Sequence, residues 1–240
     1  LSLHIGNAAR IKWSLGITRG KSDKADSRRL CDYCYRHADE LKVSPALDPV
    51  ILELKDLVTS RNRLISQKNS IRVFLGELRK TTNKAVHKTL EKSHAAALKG
   101  LQQSLEEIEL QIKKIVRENM SIKKNYDLLL SVPGIGPVTA VYMICCTANF
   151  SSKISGKQLA CYAGVVPFEH SSGKSIKGKT KVHRMANKDL KKLLHQGARS
   201  ITTHHPEFKA YYQRKLKEGK DDLAIINAVR NKIVLRAVAI

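Results

Sequence analysis

The chain has 240 residues, enough for one large domain or for two to three small ones. Hydrophobic residues make up 42% and aromatic residues 5%, so we expect an aliphatic and mainly helical core. The formal net charge is +23, from 44 Lys and Arg against 21 Asp and Glu, which indicates a polyanionic partner. There is no apolar run long enough to span a bilayer, so we expect a nucleic-acid partner and no membrane.

The termini and the cysteines bear on the origin of the chain. Leu1 to Gly6 contains neither an initiator Met nor a signal-peptide pattern, and the chain stops inside the apolar run Ile233–Ile240. We therefore expect a fragment, cut at both ends. Five cysteines without a signal peptide favour a reducing prokaryotic cytoplasm, where the protein would associate with the nucleoid. Cys31 and Cys34 have the C-x-x-C spacing of a zinc site, but no second ligand pair is visible, and two ordinary helical thiols are the alternative.

Residues 1 to about 45 are mixed and basic. A helix is predicted from Asp26 to Glu40, before the break at Ser44-Pro45. Asp23 and Asp26 are three residues apart and would share one face of a helix, where two carboxylates could bind Mg²⁺. Helix N-capping with a following acid is the alternative explanation for this pair.

Residues 48 to about 127 contain almost no Gly or Pro. Apolar residues recur there at steps of three and four, the period of amphipathic helices. The pattern is lost between Arg79 and Ser93, which predicts two long antiparallel helices joined in that stretch. Such a hairpin or coiled coil serves as a spacer or a dimerisation arm. A helical bundle inside one compact domain is the alternative.

Tyr126 to Ala140 is predicted to be a helix, a tight turn and a second helix. The turn is Pro133-Gly134-Ile135-Gly136-Pro137, whose glycines allow a sharp bend and close approach to another molecule. The free amides at the start of the second helix suit a phosphate oxygen. The pattern resembles a helix-hairpin-helix, which predicts that Gly134, Ile135 and Gly136 contact the DNA backbone. A purely structural turn would look the same.

Gly164 to Lys181 is predicted to form a loop or a β-hairpin. From His170 to Arg199 there are nine Lys or Arg and one acid, Asp189, so this stretch should bind several phosphates in a salt-dependent way. Ser171 or Ser172 could act as a nucleophile if a base or a metal activates it. A flexible loop whose hydroxyls only donate hydrogen bonds to phosphate is the alternative. Helices are predicted over Lys188–Thr203 and from Asp221 to the end. The predicted phosphate contacts are Lys174, Lys177, Lys179, Lys181 and Arg184.

Several of these stretches, in this order, resemble the DEDD-type insertion-sequence transposases, which are relatives of the Piv DNA invertase. Lys21–Asp26 resembles the K-T-D-x-x-D element of that family. The resemblance extends over essentially the whole chain and is strongest in residues 126–202. The stretches that carry it there are Val132–Ala140, Leu159–Pro167, Ser171–Lys174, Asn187–Leu194 and Gly197-Ala198.

The resemblance implies an RNase H-like (RuvC-type) α/β domain whose four acids hold a divalent metal, Mg²⁺. Asp23 and Asp26 match the last two acids, and the first two would lie upstream, so the chain alone should be inactive. A coiled coil would follow, then a domain whose serine attacks a DNA phosphate to form a covalent phosphoserine link. Ser172 is the first choice for this nucleophile and Ser171 is nearly as good. The family also implies a structured guide RNA and a homo-oligomer, a dimer or a tetramer, with a shared active site.

The sequence therefore predicts a mainly α fold in three parts. Residues 1–45 would be the end of the RNase H-like domain, residues 46–125 a coiled-coil hairpin, and residues 126–240 a C-terminal transposase domain with a helix-hairpin-helix-like element. The predicted function is DNA transposition or site-specific recombination. The alternatives are a non-catalytic, structure-specific DNA- or RNA-binding protein and an oligomeric scaffold built on the long helices.

Overall fold

A computed structural model describes residues 4, 6, 8–16, 22–41, 43, 46, 48–151, 154–172, 176–182 and 185–240, with the backbone alone for residues 169–172 and 176–181. Lys174 and Arg184, both predicted phosphate contacts, lie outside the described residues. The chain divides into two compact units, Leu1–Leu47 and Asp48–Ile240. None of the helices in the described ranges is long and apolar enough to cross a membrane.

The first unit contains α1 (Ala8–Ser14), α2 (Asp23–Arg36) and a 3-10 turn at Ala38–Glu40. Helix α2 begins three residues before the predicted start because the Ser22 hydroxyl caps it, accepting a hydrogen bond from the Ala25 amide. Tyr33 is the buried side chain of α2 and lies against the His37 ring. No strand occurs among the residues described in this unit, and the RNase H-like remnant stays a prediction.

The second unit begins with a long antiparallel hairpin of helices, α3 (Pro49–Thr81) and α4 (Lys84–Glu118), which confirms the two helices predicted from the apolar period. Asp48 and Asn83 cap the two helices by accepting hydrogen bonds from the amides of Val50 and Ala85. Polar contacts that link the helices include the Arg61–Glu109 ion pair, with 2.7 Å between Nη2 and Oε1, and a hydrogen bond from Lys68 to Gln102. At about 1.5 Å per residue the arm is roughly 50 Å long.

The rest of the second unit is a helical body that carries one two-stranded antiparallel hairpin. The long arm is rooted in this body, because α3 packs against α6 and α4 packs against α5. The boundary predicted between residues 125 and 126 falls inside α5. The mainly α fold is confirmed. The elements of the body are α5 (Met120–Ser131), α6 (Pro137–Cys146), α7 (Gly156–Tyr162), β1 (Phe168–Ser172), β2 (Ile176–Lys181), α8 (Lys188–His204), α9 (Pro206–Lys217) and α10 (Asp222–Ala239).

The core of the body follows from the apolar spacing of its helices. On α8, Leu190, Leu194, Ala198 and Ile201 recur at steps of three and four and are all buried. Helix α8 packs against α10. Helix α10 is apolar around most of its circumference, which fits its contacts with α7, α8 and α9. Ile51, Leu54 and Val58, from the base of the arm, belong to the same core. The base of the arm is therefore built into the body that carries the hairpin.

Candidate nucleic-acid interface

The predicted turn between two helices is confirmed at Val132–Gly136, between α5 and α6. Gly134 has a φ of 90°, a backbone conformation that favours glycine. The turn packs tightly on α8, since a Cβ added to Gly197 would lie 2.0 Å from the carbonyl oxygen of Gly134. Ile135 is 6% exposed and points into the core. The structure thus uses Gly134 and Ile135 for internal packing, and their contact with DNA stays a prediction.

Gly136, by contrast, is exposed and forms the N-cap of α6 without a side-chain cap. The first intrahelical bond runs from the Ala140 amide to the Gly136 carbonyl oxygen (2.9 Å), so the amides of Val138 and Thr139 have no partner within the helix. Pro137 and Val138 are also exposed. This helix start is therefore the part of the motif that is open to an anion.

The start of α6 opens into a groove of about 410 Å³ beside the base of the long arm. Val58, Ile112, Val116, Tyr126 and Val141 contribute apolar side chains to it. Four cations and two acids also line the groove, namely Arg61, Lys113, Arg117, Lys123, Glu109 and Asp127. Arg61 is paired with Glu109, which leaves more positive than negative charge near the exposed residues at the start of α6.

Lys113, Arg117 and Lys123 were not predicted to be functional residues. The spacing of four between Lys113 and Arg117 on α4, and the place of Lys123 near the start of α5, were visible in the sequence. Such patterns usually mark a solvated helix face. The groove brings them together with Pro137, which is distant in sequence.

The predicted basic loop is a β-hairpin whose register separates the two candidate serines. Ser171 pairs with Lys177, and Ser172 pairs with Ile176 next to the tip. Directly opposed residues of an antiparallel pair occupy the same face, and faces alternate along a strand. Ser171 therefore shares a face with position 177, and by alternation with positions 179 and 181 of β2, while Ser172 occupies the other face.

The base of this hairpin is fixed to the helical body by a polar network around Asn187. The Asn187 side chain caps α8 by accepting a hydrogen bond from the Leu190 amide, and it also accepts one from the Tyr142 hydroxyl (3.1 Å). Its Nδ2 donates to the Tyr162 hydroxyl at 2.8 Å, and its backbone amide donates to the Tyr162 carbonyl oxygen. Burial raises the pKa of Tyr162 to about 12, so its hydroxyl stays protonated at neutral pH. The side chain of Asn227 on α10 donates to the carbonyl oxygen of Val165 just before β1.

The C-terminal part of the predicted basic stretch lies on α8, and two of its cations there are paired. Arg199 forms a two-point contact with Asp222, at 3.0 and 2.5 Å, and Lys192 lies 3.4 Å from Asp189. The hydroxyl of Tyr212 also donates to Asp222. Fewer than nine cations are therefore available to phosphate in this stretch.

The two candidate metal ligands lie in the first unit. Asp23 and Asp26 both fall in the first turn of α2, and Arg29 donates a hydrogen bond to the Asp26 carboxylate at 3.1 Å. Two carboxylates in one turn fit the oxygen ligands that Mg²⁺ takes alongside water and substrate. Among the residues described, no group of three or more His, Cys, Asp or Glu side chains could hold a metal. Cys31 and Cys34 are exposed free thiols on the same helix.

An exposed helix start in a basic groove and a lysine-bearing hairpin on a helical body are typical of nucleic-acid-binding domains. The comparisons with known proteins name the family. Residues 126–213, which contain the turn, the hairpin, α8 and most of α9, match the model of the IS116/IS110/IS902 transposase family. The match confirms, over residues 126–213, the resemblance to this family found in the sequence.

Three relatives illustrate the match. The pilin gene-inverting protein of Moraxella bovis is 28% identical over 138 residues, which cover 57% of this chain and 43% of that protein. The IS110 uncharacterized 43.6 kDa protein of Streptomyces coelicolor is 32% identical over 107 residues, 44% of this chain and 26% of that protein. A putative transposase of Sinorhizobium fredii is 26% identical over 204 residues, 77% of this chain and 52% of that protein. The chain thus spans about half the length of these relatives or less.

Proposed function

We propose that the chain is part of a DNA transposase or site-specific recombinase of an insertion sequence, and that it cuts and rejoins DNA through a covalent phosphoserine intermediate. One observation carries the proposal. The 126–213 match to a transposase family covers the region that holds the serine hairpin and the exposed α6 start. Relatives that are named for inverting the pilin gene and for transposition support DNA rearrangement as the activity.

The serine chemistry balances without an oxidant or a reductant. The serine oxygen forms a bond to phosphorus, its proton passes to a base, and the sugar oxygen of the cleaved strand leaves as a hydroxyl. Attack by a hydroxyl of another strand on the phosphoserine rejoins the DNA and releases the serine. Lysines beside the reacting phosphate would stabilise its growing negative charge. Ser172 is the first choice for the nucleophile and Ser171 the second, and the strand register places the two serines on opposite faces of the hairpin.

Mg²⁺, held by Asp23 and Asp26 with further acids, would supply Lewis-acid polarisation of the phosphate. In the chain itself, the carboxylates of α2 would orient that ion, and the basic groove and hairpin would bind the DNA strands. A structured guide RNA remains part of the proposal through the family resemblance, and the surplus of cations suits a second nucleic acid.

A homo-oligomer is also proposed, assembled through the long arm. Val73, Phe74 and Leu110 of the arm are apolar and 45 to 63% exposed, so a second arm could cover them.

The test is a covalent-adduct assay. The chain, and the product of the whole reading frame, are incubated with Mg²⁺, the RNA transcribed from the element and radiolabelled DNA containing the element ends. The reaction is denatured and adducts are resolved on a gel. We expect an adduct with the whole product that survives denaturation, persists in one of Ser171→Ala and Ser172→Ala, and is lost in the other. Thr180→Ala, on the same hairpin, is the control and should keep the adduct. Tight DNA binding without any adduct would contradict the serine mechanism and favour the non-catalytic binding protein.

A further inference from the structure

Arg230, near the middle of α10, is buried without a partner for its charge. The residue is 7% exposed, and its Nε is sealed from solvent without a hydrogen-bond partner. Across the described part of the chain its guanidinium makes no ion pair and no hydrogen bond. A buried cation without a counter-charge is costly, and unpaired buried polar groups are rare in native proteins. The position therefore needs an explanation outside internal packing.

The described groups around Arg230 include two cations, Lys191 and Arg199, and one histidine, His195, whose lowered pKa leaves the ring mainly neutral at pH 7. Lys191, His195 and Arg199 are spaced by four along α8, so they share the side of the helix that faces α10. Burial, and then the positive charge of Arg230, lower the pKa values of Lys191 and His195. The nearby carboxylate, Asp222, is already held by Arg199 and by the Tyr212 hydroxyl. The cluster thus carries positive charge that no described acid neutralises.

The cluster lies close to the base of the serine hairpin. A Cβ added to Gly164, four residues before β1, would lie 3.7 Å from Cδ of Lys191. Asn227, one turn before Arg230 on α10, bonds the carbonyl oxygen of Val165 in the same segment. An anion bound by Arg230 and Lys191 would therefore lie next to the segment that leads into β1.

We propose that Arg230, Lys191 and His195 form a binding site for a backbone phosphate of the DNA that the hairpin acts on. The fork of a guanidinium matches two phosphate oxygens, which suits Arg to this ligand better than to a spherical anion. The identification of the anion as DNA phosphate rests on the proposed function, whereas the unpaired cation does not. The site would hold the strand beside the hairpin while the serine reacts.

The test compares two arginines on the same helix in the full chain. Arg230→Met removes the unpaired charge at similar volume, and Arg236→Met removes a half-buried arginine that is paired with Glu207 at 2.6 Å. Affinity for a fluorescent 30-base-pair duplex is measured across a salt series, and thermal unfolding is measured without DNA. We expect Arg230→Met to bind DNA about tenfold more weakly and to lower the salt slope by about one. It should unfold at the same or a higher temperature, because a desolvated charge is gone. Arg236→Met should keep wild-type affinity.

Further measurements distinguish the possible ligands and show whether a variant has lost binding only because it is misfolded. Arg230→Lys keeps the charge without the fork and should bind DNA with intermediate affinity. Inorganic phosphate at millimolar concentration should raise the unfolding temperature of the wild type and not of Arg230→Met. Wild-type affinity and salt slope in Arg230→Met would overturn the proposal. An effect on duplex RNA alone, or a fall in unfolding temperature with DNA affinity unchanged, would also overturn it.

The two proposals can fail separately. If wild-type protein forms no adduct but Arg230→Met weakens DNA binding, the serine mechanism fails and the phosphate site stands. If the adduct forms at the wild-type rate in Arg230→Met, the phosphate site fails and the serine mechanism stands.

Discussion

Replacing Gly197 on α8 with alanine should disrupt the contact between that helix and the turn at Gly134. The new Cβ would lie 2.0 Å from the Gly134 carbonyl oxygen, whereas ordinary contacts begin near 3.4 Å. The turn and the helix would have to separate by roughly 1.4 Å, and both are backbone, so no side-chain rotation relieves the clash. Overpacking of this kind costs about 3 kcal/mol, the upper end of the usual range. For a unit of this size the unfolding temperature should fall by about 10 °C.

The assay is thermal unfolding followed by circular dichroism, with Gly76→Ala as the matched control. Gly76 is an exposed glycine inside α3, and a Cβ there would meet nothing within 4 Å. Alanine is the better helix former, so this control should stabilise the protein by about 0.5–1 kcal/mol. Gly197→Ala should also weaken DNA binding, because the displaced turn moves the exposed start of α6. An unfolding temperature equal to that of the wild type would refute the close packing of the turn on α8.

Three further predictions concern other parts of the structure. Burial raises the pKa of Cys145 to about 12, so very little of its thiol is ionised at pH 8. Iodoacetamide should therefore label the exposed Cys31 thousands of times faster than Cys145, as followed by mass spectrometry over a time course. Comparable labelling rates would contradict the burial of Cys145. The contacts of Asp222 with Arg199 and Tyr212 lower the pKa of that carboxyl, so it stabilises the fold above its ordinary pKa and this contribution is lost as the pH falls through the lowered value. Asp222→Asn should accordingly unfold more easily than the wild type at pH 7, and the difference should shrink as the pH falls below the ordinary pKa of the carboxyl, in urea titrations across that pH range; a difference that does not change with pH would contradict the ion pair. Leu110→Lys should shift the protein to a smaller assembly in light scattering, and an unchanged mass would count against assembly through the arm.

The local parts of the fold could be predicted from the sequence, and the long-range ones could not. The apolar period on either side of Arg79–Ser93 predicted α3 and α4, although α4 begins at Lys84, inside the stretch where the period is lost. The Gly and Pro residues at 133–137 predicted the turn. That Gly134 would pack on Gly197 depends on tertiary contact, which periodicity does not report. Helix α9 was missed, although Pro206 at its first position was a usable signal.

The candidate site shows the same division. The basic stretch and the two serines were visible as composition, but their separation onto two faces follows from strand register. Nothing in the sequence predicted that Arg230 is buried, since an arginine in an apolar helix usually faces solvent. Its burial between α8 and α10 emerges only from packing.

The long arm shares its hydrophobic base with the body, through Ile51, Leu54 and Val58, and this has a mechanical consequence. An arm roughly 50 Å long that tilts by about 10° at its base moves its tip by roughly 9 Å. Conversely, a force applied by a partner at the tip would be transmitted to α5 and α6, which contact the base of the arm. The groove beside Pro137 is lined by residues of α3, α4, α5 and α6, so a tilt of the arm relative to the body would change its width.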